Sequence, residues 1–136
     1  MKNIHYFFII ATTVFLGSCR DKSTTTEVHD NLNSPVTAIG TNGFTYTVNA
    51  NQYSETSQND LTFLSDSLVV TLSCSNYLSG QAIISVKDSQ NVSIFLDTVK
   101  SNKTIAIAHL KATKPKHCNI DINNLTATLV FVLAGQ

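Results

Sequence analysis

Two cysteines, two histidines and one run of alternating amides and carboxylates are the reactive side chains that stand out in the C-terminal two-thirds of the chain. Nucleophilic catalysis needs a thiol or hydroxyl beside a base that takes its proton. Cys118 has His117 next to it. Adjacent residues of a strand point to opposite faces, so that pair cannot meet. His109 reaches Cys118 only if their strands face one another. No Gly-x-Ser-x-Gly elbow occurs. The spacings among His109, His117, Cys74 and Cys118 match no zinc signature. Asn119, Asp121 and Asn123 have the spacing that opens a calcium loop. Such a loop needs Gly at its sixth position and Glu at its twelfth, where this chain has Asn124 and Val130. The intervening Ile120 and Ile122 read instead as the inner face of a strand whose outer face is polar. Glycoside hydrolysis uses two carboxylates across a cleft, and the nine acidic residues are scattered singly. Trp is absent, which leaves Tyr46, Tyr53 and Tyr77 as the tyrosine rings beyond residue 18 for stacking a sugar. No constellation for catalysis closes along the chain, so no enzymatic activity, no metal and no cofactor is expected.

The elements that carry these residues are strands. Charged residues make up only 13% of the chain, against 43% hydrophobic. Ser, Thr and Asn together number 44. A Thr-rich chain poor in Glu, Lys and Arg forms helices badly and sheets well. From Gly43 onward short apolar runs alternate with turn residues, and no helical period is sustained. Phe44, Tyr46 and Val48 alternate with polar residues, and Leu61–Leu64 is a short run. Leu68, Val70, Leu72 and Cys74 share a face. After the turn at Ser79-Gly80 so do Ala82, Ile84 and Val86, and after Asp88–Asn91 so do Val92, Ile94 and Leu96. Ile105, Ile107 and His109 form another alternating set, and Cys118, Ile120 and Ile122 the next. Thr126–Ala134 is nearly continuously apolar. The expected fold is all-β, an antiparallel β-sandwich of about seven or eight strands over residues 43–136. The formal net charge is zero, which argues against nucleic acid as a partner.

The N-terminus reads as an address. Lys2 gives a positive start, and Ile4–Leu16 is an apolar run too short to span a bilayer, followed by small residues. Residues 1–18 are therefore expected to be a secretory signal peptide. Its end, Leu16-Gly17-Ser18-Cys19, resembles the bacterial lipobox. The resemblance implies lipidation of Cys19 through its sulfur and cleavage before it, with the membrane as a partner through N-terminal acyl chains. Two or three such chains anchor stably where one is marginal. The charged run Arg20-Asp21-Lys22 is similar to export signals of surface lipoproteins in the Bacteroidetes. Residues 19–42, polar and without period, are expected to form the lipidated Cys and a flexible tether.

The strand count and spacing of the body resemble an immunoglobulin-like sandwich. In that architecture Cys74 and Cys118 occupy the two positions joined by the inter-sheet disulfide, and an oxidising envelope permits the bond. The alternative is two buried free thiols acting as small hydrophobes. Trp on the third strand is missing, and Lys116 stands where the tyrosine corner belongs, so the resemblance extends to architecture alone. Gly80–Leu133 is also similar to small sandwich domains of bacterial lipoproteins without assigned function. Asp66-Ser67-Leu68 and Asp97-Thr98-Val99 resemble the O-glycosylation acceptor of the Bacteroidetes, with Ser67 and Thr98 as the glycan-bearing hydroxyls; the plain alternative is turn residues. Together these features lead to the expectation of a lipid-anchored outer-membrane protein, its domain a structural or adhesive module for an unknown protein or glycan. The alternatives are a glycan-binding accessory module, or a periplasmic inhibitor or immunity-type lipoprotein with one protein partner.

Overall fold

The computed structural model describes residues 31–111 and 113–136. The expected signal peptide, Cys19 and the first half of the expected tether, to residue 30, lie outside the described residues. The described chain is all-β and antiparallel: β1 (Val36–Gly40), β2 (Gly43–Asp60), β3 (Ser67–Lys87), β4 (Ser93–Val99), β5 (Lys103–Lys111) and β6 (His117–Gly135). The order across the sheet is β1-β2-β6-β3-β4, with β5 also paired to β3. The strand count is thus six instead of seven or eight. Two pairs of expected strands are each one long strand. Leu68–Cys74 and Ala82–Val86 both belong to β3, and Cys118–Ile122 and Thr126–Ala134 both belong to β6. Leu61–Leu64 is no strand but a connection, bridged to Thr41 through Thr62. Residues 36–40, expected in the tether, instead form β1. Its backbone pairs with β2 in unbroken register although all five residues are exposed, so hydrophobic alternation could not reveal it.

The three long strands bend at one level. Register shifts fall between Ala50 and Glu55 of β2 and between Ser75 and Gln81 of β3. Left-handed backbone occurs at Gln52 (φ 50°), Asn76 (54°), Gly80 (83°) and Asn124 (47°). Gly and Asn enter this region most readily, so Asn76, Gly80 and Asn124 permit the turn, whereas Gln52 adopts it without that preference. Side chains satisfy the N–H groups released from the ladder. The amide of Gln52 donates to Thr126 Oγ1 (2.9 Å), that of Asn124 to Ser54 Oγ (2.8 Å) and that of Tyr77 to Asn102 Oδ1 (2.8 Å).

The bend folds the sheet over on its own apolar face. Phe95 stands opposite Val86, and Phe131 stands opposite Leu72. A straight strand would place those levels roughly 46 Å apart. The two rings are in fact stacked with centroids 5.7 Å apart. Likewise Tyr46 donates its hydroxyl to Glu55 Oε2 at 2.8 Å, across the bend of its own strand. The core therefore lies between the two halves of one sheet. It includes Phe44, Tyr46 and Val48 of β2, Leu68–Cys74 and Ala82–Val86 of β3, and alternate residues of β6 from Cys118 to Leu133. β5 pairs only the first half of β3 and β4 only the second. The Lys103–Asp97 ion pair, 2.7 Å between Nζ and Oδ2, links these two edge strands. Unlike the two separate sheets of an immunoglobulin domain, both layers here share β2, β3 and β6.

Candidate functional site

At the end of the second layer, away from the bend, three long strands finish or begin side by side. Asp60 ends β2, His117 begins β6 and Lys87 ends β3; His117 is the register partner of both others. The next outward row is Gln58, Asn119 and Ser85. Because Cys118 and Ile120 point into the core, strand alternation sends His117 and Asn119 outward. His117 Nδ1 lies 2.8 Å from Asp60 Oδ1. Asn91, from the β3–β4 turn, completes a groove of about 430 Å³ over this face.

The turn that holds Asn91 is built around Asp88, a buried carboxylate only 3% exposed. Asp88 Oδ1 accepts the N–H groups of Gln90 (2.9 Å) and Val92 (2.8 Å), and Oδ2 accepts the Thr113 hydroxyl (2.8 Å). The Asp88 amide also donates to Val92 O at 3.0 Å. The Thr113 hydroxyl above all, and then the two backbone donors, hold the carboxyl below its usual range, against the opposing effect of burial. The β5–β6 loop is fastened to the same place. Lys116 N donates to Lys87 O and Leu61 N to Lys116 O, both at 2.8 Å. The groove is therefore framed by a hydrogen-bonded scaffold before any ligand arrives.

Chemically the lining is amides, one ammonium and one His–Asp pair, with no hydroxyl or thiol nucleophile among its residues. The pair can orient a ring and present polar atoms. Amides both donate and accept. This inventory suits hydrogen-bonded recognition of a polar ligand.

The residues singled out from the sequence are dispersed. Cys74 and Cys118 are both free and buried, which corrects the expected disulfide. Cys74 faces Leu129 near the bend, whereas Cys118 faces Val86, twelve residues further along β3; the immunoglobulin equivalence failed because both halves of the pattern lie on the same two strands. Burial pushes the Cys118 thiol up to about 12. Burial also raises that of Cys74, partly offset by Lys103. His109 is exposed on β5, away from Cys118 on β6. His117 and Cys118 do point to opposite faces. Asn119, Asp121 and Asn123 lie along β6, as the strand reading requires, and Asp121 Oδ1 accepts the Thr56 hydroxyl at 3.1 Å. Among the described residues no group of three or more His, Cys, Asp and Glu could hold a metal ion.

Among the described residues the tyrosines form no platform. Tyr46 is fully buried, and Tyr53 and Tyr77 pack partly buried against the core. Burial first and then Glu55 raise the phenol of Tyr46 far above its usual value. Of the two hydroxyls proposed as glycan acceptors, Thr98 is exposed on β4, and Ser67 is half-buried at the start of β3. The residues that reading by sequence missed are Asp60 and Lys87, together with the role of His117 beside them. Residues 53–60 are polar after Tyr53, so their alternate burial, seen in the structure, left no signal in the sequence. No protein-family model matches the chain, and no curated protein matches it either.

Proposed function

We propose that this is a lipid-anchored protein of the bacterial outer membrane whose β domain is a non-catalytic binding module. The observation that carries the reading is Leu16-Gly17-Ser18-Cys19 placed directly after a short apolar run. A diacylated or triacylated Cys19 holds the domain at the membrane, and the residues between Cys19 and β1 give it reach. The polar groove at Asp60, His117 and Lys87 supports a binding role, because its lining supplies hydrogen-bond donors and acceptors without a nucleophile. The same groove favours a glycan over a protein partner, since a protein interface is expected to centre on apolar and aromatic anchors.

The test is metabolic labelling of expressing bacteria with an alkyne fatty acid. The wild-type chain is expected to take the label and the Cys19→Ala chain to lose it. An unlabelled wild-type chain refutes the anchor. Treatment of intact cells with a non-penetrating protease then assigns the face: digestion puts the domain outside, and protection until lysis puts it in the periplasm.

A further inference from the structure

Resting on the binding-module reading and deepening it, we infer that the groove between Asp60 and Lys87 binds an acidic carbohydrate, with a ring carboxylate at Lys87 and sugar hydroxyls on the neighbouring amides and Asp60.

Ligand pockets are mostly apolar with a few polar groups. This one has the reverse character: Gln58, Asn91 and Asn119 supply amides, and Asp60, Lys87 and His117 supply the charged and ionisable groups. An apolar ligand would desolvate these groups without replacing their hydrogen bonds, which costs free energy at each one. A ligand that both donates and accepts at many points fits, and that is the chemistry of sugar hydroxyls. Each side-chain amide offers a donor pair and an acceptor at one place. The volume of about 430 Å³ is within the range for small ligands and has room for one or two sugar rings.

The charges give the ligand a direction. His117 sits between Asp60 and Lys87 in one row across three strands. Two inter-strand spacings separate the outer two residues, about 10 Å. The ring of His117 is turned toward Asp60 by the 2.8 Å contact, so Asp60 and His117 form the hydroxyl-binding end. Lys87 is the only lysine in the lining and stands at the other end. A carboxylate belongs there, and a second one at the Asp60 end would be repelled.

The frame is ready in advance. Asp88 fixes the turn that carries Asn91, and Thr113 ties the β5–β6 loop to Asp88. Pre-set walls lower the ordering cost of binding, which a site without stacking rings needs.

The experiment is calorimetric titration of the purified full chain in detergent with galacturonate and glucuronate oligomers. Their methyl esters, which keep the hydroxyls and lose the charge, are titrated in parallel. At least one of the acidic oligomers is expected to bind about tenfold more tightly than its ester, the size of one charge-assisted hydrogen bond. Lys87→Gln is expected to abolish that preference, Asn119→Ala to weaken acid and ester alike, and Lys100→Gln to change neither. Circular dichroism of each variant confirms its fold. His117→Gln, which loses the ring and not the Lys87 backbone contacts, serves if Lys87→Gln is unstable, and its expected effect is weaker binding of both forms. No binding of either acidic oligomer, or binding indifferent to Lys87→Gln and Asn119→Ala, overturns the inference. A chain that takes the fatty-acid label yet binds no acidic oligomer loses the groove and keeps the anchor. A chain that binds them through Lys87 without taking the label keeps the groove and loses the anchor.

Discussion

Replacing Gly80 by Ala tests the bend on which the whole arrangement depends. Gly80 has φ +83°, and a Cβ built on it would lie 2.1 Å from Asn124 O, 2.4 Å from Asn124 C and 2.6 Å from Leu125 Cα. These are backbone atoms of the adjoining strand, so no side chain can swing aside. Left-handed backbone costs a residue with a Cβ roughly 1–2 kcal/mol. Forcing an extra carbon into a packed site typically adds roughly 1–3 kcal/mol. The expected loss is about 2–5 kcal/mol, which in a domain of this size lowers Tm by roughly 10–30 °C. Gly43→Ala is the matched control, since a Cβ there meets nothing within 4 Å; its expected effect is within about 0.5 kcal/mol of zero. Thermal unfolding followed by far-ultraviolet circular dichroism reads both variants. A Gly80→Ala protein melting within about 3 °C of wild type refutes the claim that β3 and β6 cross at backbone contact, and with it the folded-over sheet.

Other consequences can be measured on the same protein. Phe131 is fully buried and stacks on Phe95 across the two layers, so Phe131→Ala is expected to cost about 3–5 kcal/mol in urea unfolding. Cys74 and Cys118 are expected to resist alkylation in the native protein and to react together, without reductant, once it is unfolded; a reductant requirement would restore the disulfide. Because burial raises the folded Cys118 thiol to about 12, the fold favours the neutral form. Stability should be full below the unfolded thiol's value near 9 and fall as pH rises toward 12, by roughly 4 kcal/mol at three units of separation. Cys118→Ala should flatten that alkaline limb. Asp88 behaves in the opposite sense: its folded carboxyl is lowered, so its contribution is present above the unfolded carboxylate value near 4 and lost as pH falls through the folded one. Asp88→Asn should remove that part of the acid limb in a pH series of denaturant midpoints.

The all-β class and the identity of the core were legible because both follow from period-two alternation. Phe44, Tyr46 and Val48, the Leu68–Cys74 set and the Cys118–Ile122 set are all buried. Connectivity was less legible. Ser79-Gly80 was read as a chain reversal, and it is instead a point where one strand turns and goes on. The local chemistry of a hairpin turn and of a bend in a long strand is the same, a left-handed Gly or Asn. Only the partner strand tells them apart. Asn123-Asn124 posed the same ambiguity in β6. The disulfide expectation inherited the error, because a strand count that doubled β3 and β6 placed Cys74 and Cys118 on facing sheets. The groove was hidden for a different reason. Tyr53–Asp60 forms a strand held by backbone pairing with β6, and its inward side chains include Glu55, Ser57 and Asn59, so the apolar signal was missing where the site lies.

The direction of the groove yields one more test. The chain joins the sheet at the bend, where Leu32 bridges to Asn49 and the Asn33 amide donates to Asn49 O at 2.8 Å. Regular pairing resumes at Glu55 on β2 and at Gln81 on β3 and runs to Asp60 and Lys87, so the groove lies roughly 17–20 Å from the bend along those strands. Under the proposed anchorage the bend faces the bilayer and the groove faces away from it. Leu78, 78% exposed, marks the bend end and Asn91 the groove end. Cysteines introduced at these two positions can be spin-labelled selectively, because Cys74 and Cys118 are buried. With the lipidated protein on vesicles, the label in Leu78→Cys should be relaxed more strongly by a lipid-dissolved quencher than the label in Asn91→Cys. A water-soluble quencher should show the reverse order. Equal or inverted accessibility at the two positions would mean that the domain lies on its side or upside down, and a groove pressed to the membrane could not serve a ligand arriving from solution.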